Sequence, residues 1–427
     1  VIPPDFLNAI ATQKGVSKSE LSALKLALEG HSTAAIGEQL GVSGDAVRKR
    51  LSEVYQKFAI EGRGPVKLTK LQQLLVTRYQ DSPTEGTTAV DLADTEQVDW
   101  GNAPDVSVFY GRTSELAKLE QWIVQDQYRL LAIYGIAGIG KSTLSVKLTQ
   151  RLQPHFQKVF WRSLYHAPPL QELLQELMHF LNAGSLENSS DTVAEQIDWV
   201  MQYLQQHRCL LVFHGMESLC LSGDLAGTYQ PNYENYSQLI KLVGTVPHQS
   251  CLLTTSQDKL SEVAYLEGKT LPVGSFKLRG LAEEDAKAIL QDKGLTGEQQ
   301  WEYLVRGYRG NPMMLKLVAE TIREVFDGNV SDFLDTSLFT NDIHNFIERV
   351  LDRVSALEKQ ILHTLAGQSE GVNFKQLHAQ LTTVSAQDLM SALSSLRQRS
   401  LMEHVDQGFI LPPVIKEVTQ QIMQSEA

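Results

Sequence analysis

The stretch Leu130-Leu-Ala-Ile-Tyr-Gly135-Ile-Ala-Gly-Ile-Gly140-Lys-Ser-Thr-Leu144 decides how the rest of the sequence is read. Its first five residues are apolar or aromatic without interruption, the pattern of a strand covered on both faces. Its last residue opens a helical pattern through residues 144–152. Between them, Gly135, Gly140, Lys141 and Ser142 satisfy G-x-x-x-x-G-K-[ST] with strand, loop and helix in register. Glycines permit left-handed turns that bring main-chain N–H groups against phosphate oxygens. The helix that follows presents its unpaired first amides and its positive dipole end to the same anion. The expected phosphate-binding set is Gly135, Ile136, Ala137, Gly138, Ile139, Gly140, Lys141, Ser142 and Thr143. The loop is expected to grip the phosphates of ATP or ADP, with Lys141 reaching the β-phosphate and, in ATP, the γ-phosphate and carrying any catalysis, and with the Ser142 hydroxyl ligating Mg2+.

Working outward, short apolar runs at 129–134, 158–163, 209–214 and 251–256, with a weaker one at 271–278, alternate with helical stretches. Such alternation predicts a five-stranded parallel sheet with helices on both faces. Beyond Leu281 the pattern turns almost wholly helical, through 283–292, 297–308, 313–326 and 343–365. The tail, 373–422, reads as helices with a short strand pair around 401–411, which suits a small winged helix. Upstream, 79–108 is polar and acidic without a sustained period, the text of a linker. The first 78 residues hold three helices. Ser17 and Glu20 have capping-box spacing before the first, Gly30 ends it, Ser32 starts a second that Gly41 stops, and Ser43 caps a third. Two short helices joined by Gly-Val-Ser and followed by a longer one describe a helix-turn-helix. The expected layout is a multidomain, mostly α chain: helix-turn-helix 1–78, linker 79–107, phosphate-binding α/β domain 108–280, helical domain 281–340 and winged helix 341–427.

Bulk composition agrees with a water-soluble chain: 42% hydrophobic and 21% charged residues, with no apolar run long enough for a membrane span. The opening Val1-Ile-Pro-Pro-Asp5 lacks the zones of a signal peptide. Three cysteines make neither a paired framework nor a metal cluster, and Cys209 and Cys251 head apolar strands as buried thiols do. The expected compartment is the cytoplasm. The net charge of −12 is uneven, because residues 1–75 carry ten Lys or Arg against seven Asp or Glu. A basic head on an acidic body confines any approach to nucleic acid to the head.

The neighbourhood of the loop departs from an ordinary hydrolase. The strand ending at Phe213 runs into His214-Gly-Met-Glu217, where an acidic residue is expected to hold Mg2+. Neutral imidazole supplies neither the charge nor the oxygen that Mg2+ prefers. Glu217, three residues on, is the substitute candidate for catalysis. After the strand Cys251-Leu-Leu-Thr-Thr-Ser256 stands Gln257, where a cation would sense the γ-phosphate. Two readings stay open, weak or absent hydrolysis and an ordinary ATPase working through Glu217.

With Phe109-Tyr-Gly-Arg112, the phosphate loop, Val159-Phe-Trp-Arg162, Cys251-Leu-Leu-Thr-Thr-Ser256, Phe276-Lys-Leu-Arg-Gly-Leu281 and Gly310-Asn-Pro312, the sequence resembles NB-ARC domains. These belong to the signal-transduction ATPases with numerous domains, and the wording is closest to cyanobacterial and other bacterial members. The resemblance covers residues 105–425. It implies an α/β domain, a helical domain and a winged helix closed over ADP, opened by ATP exchange to permit self-association. It implies Phe109, Tyr110 and Arg112 near adenine and ribose, and Pro312 packed on the base. His214, Gln257 and Leu411-Pro-Pro413 depart from the family's metal-binding Asp, sensor Arg and phosphate-contacting His. Arg162 reads as structural. Family members commonly carry a long repeat sensor after the winged helix, so a sensor in a longer chain or in a separate protein is expected.

Residues 17–63 resemble the LuxR-type helix-turn-helix, through Leu24, Leu26-Ala27, Ile36, Leu40-Gly-Val-Ser43 and Ala46-Val-Arg48. That resemblance implies a third helix in the major groove of double-stranded DNA, with Arg48, Lys49, Arg50 and Ser52 toward bases and phosphates and Arg63 and Lys67 as backbone contacts. Folds of this kind also dock proteins, and both outputs, transcriptional control and protein docking, remain open at this point.

Overall fold

The computed structural model describes residues 10–11, 14, 16–28, 33–58, 71, 98–182, 192–336 and 339–426. The chain divides into two compact units, Val1–Leu92 and Ala93–Ala427.

In the first unit, helices α1 (Lys18–Leu28), α2 (Thr33–Leu40) and α3 (Gly44–Lys57) surround a small apolar centre. The Ser17 amide donates to Glu20 Oε2 at 2.6 Å and the Glu20 amide to Ser17 Oγ at 3.3 Å, so the expected capping box closes. Ser43 Oγ caps α3 through the Ala46 amide. Ala23, Leu24, Ile36, Val47 and Val54 are fully buried, one helical stripe from each element. Glu20 pairs with Lys57 at 2.6 Å and ties α1 to α3. Gly30, Ser32, Arg63 and Lys67 lie outside the described residues.

The second unit is built on a parallel sheet. Its strands are β1 (Val98–Asp99), β2 (Leu130–Tyr134), β3 (Lys158–Ser163), β4 (Cys209–His214), β5 (Cys251–Ser256) and β6 (Val273–Lys277), in the order β1-β3-β4-β5-β2-β6. Six strands replace the expected five. The sixth comes from text read as linker, where Val98 pairs with Val159 and Asp99 with Phe160. Two residues at a sheet edge leave no period to read. They are held instead by charge, with Asp99 Oδ2 accepting from Arg162 Nη2 at 2.5 Å. Arg162 also donates to Glu176 at 2.9 Å, the structural role expected of it.

Both sheet faces are covered, which explains the unbroken apolar runs. Leu130, Ala132, Leu211, Phe213 and Leu252 point into one layer, against α6 (Leu170–Leu181), α7 (Val193–Gln206) and α8 (Glu234–Thr245). Leu131, Ile133, Leu210, Val212 and Leu253 point into the other, against α4 (Thr113–Val124) and α5 (Lys141–Leu152). Neighbouring residues therefore serve opposite layers, and neither parity is free to be polar. Helix α9 (Ser261–Leu266) leads into β6.

Helices dominate the remainder: α10 (Glu283–Asp292), α11 (Trp301–Gly307), α12 (Pro312–Val325), α13 (Val330–Leu334), α14 (Asn341–Leu351), α15 (Ala356–Ala366), α16 (Phe374–Gln380), α17 (Ala386–Gln398) and α18 (Pro413–Glu426). The stretch 343–365, read as continuously helical, breaks between α14 and α15 because Ser355 and Glu358 form a reciprocal capping box. The expected strand pair is present, as antiparallel β7 (Glu403–Val405) and β8 (Gly408–Ile410). Among the described residues no helix is long and apolar enough to cross a membrane, and all three cysteines are buried and free.

Candidate nucleotide-binding site

Sheet register brings the site together. Tyr134 lies opposite Ser256 and His214 opposite Thr255, so the carboxyl ends of β2, β4 and β5 converge. The loop leaving β2 turns through left-handed residues at Gly138 (φ +74°) and Gly140 (φ +99°), conformations that glycine adopts without penalty. At Gly138 space is also short, since a Cβ there would stand 2.6 Å from Met313 Cβ.

The loop's carbonyls are fastened one by one. Lys141 Nζ donates to Gly135 O at 2.8 Å and Ile136 O at 3.1 Å. Asn311 Nδ2 donates to Ala137 O at 3.0 Å, the Met313 amide to Gly138 O at 3.3 Å, and Arg112 Nη2 to Ile139 O at 3.1 Å. Among the described residues the main-chain amides of Gly138, Gly140, Lys141 and Ser142 meet no protein acceptor. With oxygens engaged and N–H groups left over at the start of α5, the loop is a cradle for an anion.

A cavity of about 270 Å³ opens on this cradle and is lined by Lys141, Ser142 and Thr143, by Tyr165, Glu217 and Gln257, and by Pro312 and Lys316 of α12. Burial draws the Lys141 ammonium below its ordinary range, against the pull of the Glu217 and Asp258 carboxylates. Ser142 Oγ lies 2.9 Å from His214 Nε2, and His214 Nδ1 lies 2.5 Å from Thr255 Oγ1. The Gly215 amide also donates to Thr255 Oγ1. His214 is buried between Trp161 and Tyr165, and burial, reinforced by the Lys141 charge, takes its pKa down to about 4. The imidazole is therefore neutral near pH 7. Glu217, 6% exposed, accepts the Gln257 amide at 3.2 Å and faces the same cavity.

Pro312 starts α12 and lines the loop cavity. Arg112 reaches the loop from its far side and also meets Glu115 and Gly280 O. Phe109 and Tyr110 do not line the cavity. Lys147 stands over the Phe109 ring, and Lys316 stands over the Tyr110 ring, whose hydroxyl donates to Asp292. Pro412 of the Leu411-Pro-Pro413 segment lines a different cavity. In the first unit, Arg48, Lys49 and Ser52 are exposed on α3 and Arg50 is half-buried.

Sequence reasoning passed over Asn311 while quoting Gly310-Asn-Pro312. Asn before Pro at a helix start is a capping signal, and Asn311 Oδ1 does cap α12 while its amide holds the loop. No local pattern announces the buried ion cluster next to the site. Asp258, 2% exposed, pairs with Arg353 at 3.1 Å and Arg399 at 3.6 Å. Arg399 Nε lies 3.4 Å from Glu358 Oε1. Arg353 also donates to Glu217 O and Arg399 to Asp224 O. The cluster fastens the segment after β5 to α15, α17 and the turn before α15.

A phosphate cradle on this sheet, flanked by Arg112 and Glu217, coincides with a known family. Residues 112–217 match the NB-ARC domain. An uncharacterized WD repeat-containing protein of Nostoc sp. is 38% identical over 334 residues, 75% of this chain and 27% of that protein. The chain thus spans about a quarter of the length of this curated relative. A walker-type ATPase of Pyrococcus abyssi shares the fold, with TM-score 0.50 at 16% identity over 73% of this chain and 96% of that one. A signal-transduction ATPase with numerous domains and a tetratricopeptide repeat sensor, from Pyrococcus horikoshii, gives TM-score 0.40 at 18% identity over 76% of this chain and 44% of that one. The NB-ARC match covers residues 112–217, which hold the phosphate loop and the end of β4.

Two outcomes follow from this site. Because His214 titrates lower in the folded chain than in the unfolded, its contribution is present above about pH 6.5 and is lost as pH falls toward 4. Urea unfolding at pH 7 and pH 5 is expected to differ by about 2 kcal/mol more in the native chain than in His214→Gln, which keeps a polar side chain but cannot titrate. Asp258→Asn leaves Arg353 and Arg399 short of a buried counter-charge, and unfolding at pH 7 should show a loss of about 3 kcal/mol.

Proposed function

We propose that the chain is a nucleotide-controlled signalling switch of NB-ARC type, in which ATP or ADP occupies the loop cavity, hydrolysis is slow or absent, and the first unit is the output. The neutral run Ser142–His214–Thr255, standing where a fixed negative charge is expected, carries this reading. A phosphate group is received by the free amides at the start of α5 and by Lys141, whose ammonium exchanges its bonds to Gly135 O and Ile136 O for phosphate oxygens. The residues present fit Mg2+, because Ser142 Oγ and the Glu217 carboxylate are oxygen donors on one cavity. Bound there, the ion would neutralise phosphate charge. His214 orients the Ser142 hydroxyl but adds no charge, so this chain supplies less electrostatic support to hydrolysis than an acid would.

The buried Glu217 carboxylate, held by the Gln257 amide, favours a second reading, an active ATPase in which Glu217 positions water. In the closed arrangement, the Asp258–Arg353–Arg399 cluster does the work that the family assigns to a winged-helix histidine. We read 341–427 as that winged helix, with self-association following its release, and the repeats in the Nostoc relative's name suit a sensor of the expected kind. The exposed Arg48, Lys49 and Ser52 on α3 support a helix-turn-helix that binds duplex DNA and controls transcription in the cytoplasm.

With Mg2+ and ATP, phosphate release should stay far below about 1 s⁻¹, the low end of ordinary turnover. Rapid release that Lys141→Ala abolishes would instead establish the ATPase. Lys141→Ala should weaken ADP by about 10- to 100-fold in calorimetry, the loss of a charged hydrogen bond. Duplex DNA affinity should fall on the order of 40-fold between about 50 and about 200 mM salt if three cations meet phosphates, and less steeply in Arg48→Ala. A weak affinity indifferent to salt and to Arg48→Ala would point to a protein partner.

A further inference from the structure

Behind the phosphate loop lies a second cavity, of about 510 Å³, which shares no lining residue with the first. It sits where the end of β6, the turn between α11 and α12, and the segment from the end of α17 to α18 meet. Its walls include Ile136, Tyr308, Met314 and Ile415, and its volume falls in the range of small-molecule sites.

The charges around it do not balance. Arg309 is neutralised by Glu403 at 3.1 Å. Lys277, Arg279 and Arg397 line the same cavity, and among the described residues none of the three forms an ion pair. Three unneutralised cations converge on one cavity in a chain whose net charge is −12. All three side chains are exposed at the cavity's mouth, and partial desolvation, then the charges of Arg279 and Arg397 against the opposing Glu403 carboxylate, pull the Lys277 ammonium below its ordinary range. Ser400, on the same wall, has a buried hydroxyl with no hydrogen-bond partner among the described residues. Cations that repel one another beside an apolar wall together describe a site suited to an anion with an apolar body.

We propose that this cavity binds a small molecule with an apolar body and a phosphate or pyrophosphate group, separately from the nucleotide on the loop. Lys277, Arg279 and Arg397 match the charge of pyrophosphate. Because the cavity is lined by separate segments of the second unit, its ligand ties them together.

The test is calorimetric titration of inorganic pyrophosphate into the full chain saturated with ADP. One pyrophosphate per chain is expected, bound at least tenfold more weakly by Arg279→Ala/Arg397→Ala and unaffected by Lys141→Ala. The double variant should keep its ADP affinity. Lys277→Gln, a milder change, should weaken pyrophosphate in the same direction should the double variant melt early. No binding to the ADP-filled chain, equal binding by the charge variants, or joint loss of ADP and pyrophosphate in the double variant overturns the proposal. If ADP itself does not bind, the titration without ADP still reads the cavity through the same variants, so failure of the switch reading and failure of this one are distinguishable.

Discussion

The structure depends on how one loop's peptide groups are divided. Every carbonyl from Gly135 to Ile139 has a protein donor, supplied by Lys141, Asn311, Met313 or Arg112. Peptide groups cannot rotate their two ends independently, so fixing the oxygens outward fixes the amides inward. The donors come from α5 itself, from the residue before α4 and from the start of α12. The anion cradle is thus assembled from distant parts of the second unit, and α12 shares the loop with whatever phosphate enters. A change at the loop is felt at α12 without any relay between them.

Around the cradle the charges are set unusually. The end of β4 offers a buried imidazole, held neutral by desolvation, where a carboxylate would cost less to keep ionised beside Mg2+. The negative charge is displaced to Glu217 and to Asp258, and Asp258 spends its charge on two arginines rather than on the cavity. Buried ion pairs add little net stability but are costly to break singly. Such a cluster suits a contact that is either fully made or fully released.

Much of this was legible in the sequence where the physics is local. The loop, its strand and its helix follow from glycines, a lysine and an apolar run within fifteen residues, and the capping box at Ser17 is readable from four-residue spacing, whereas the one at Ser355 was passed over inside a helical pattern. The apolar runs of β2, β4 and β5 announce strands covered on both faces. What escaped was held by distance. Strand β1 is two residues long and is held because Arg162, some sixty positions on, donates to Asp99. Asp258 meets Arg353 and Arg399 only after the helices close, and nothing in the local pattern of either arginine marks it. Asn311 was readable as a cap, but its second bond, to Ala137, required the fold.

Hydrogen exchange of the loop amides on adding ADP addresses the division of peptide groups most directly. Exchange is expected to slow together in peptides spanning 135–143 and 311–316, because the phosphate takes the free amides and steadies the donors that hold the opposite side. Unchanged exchange in 135–143 at saturating ADP would contradict it.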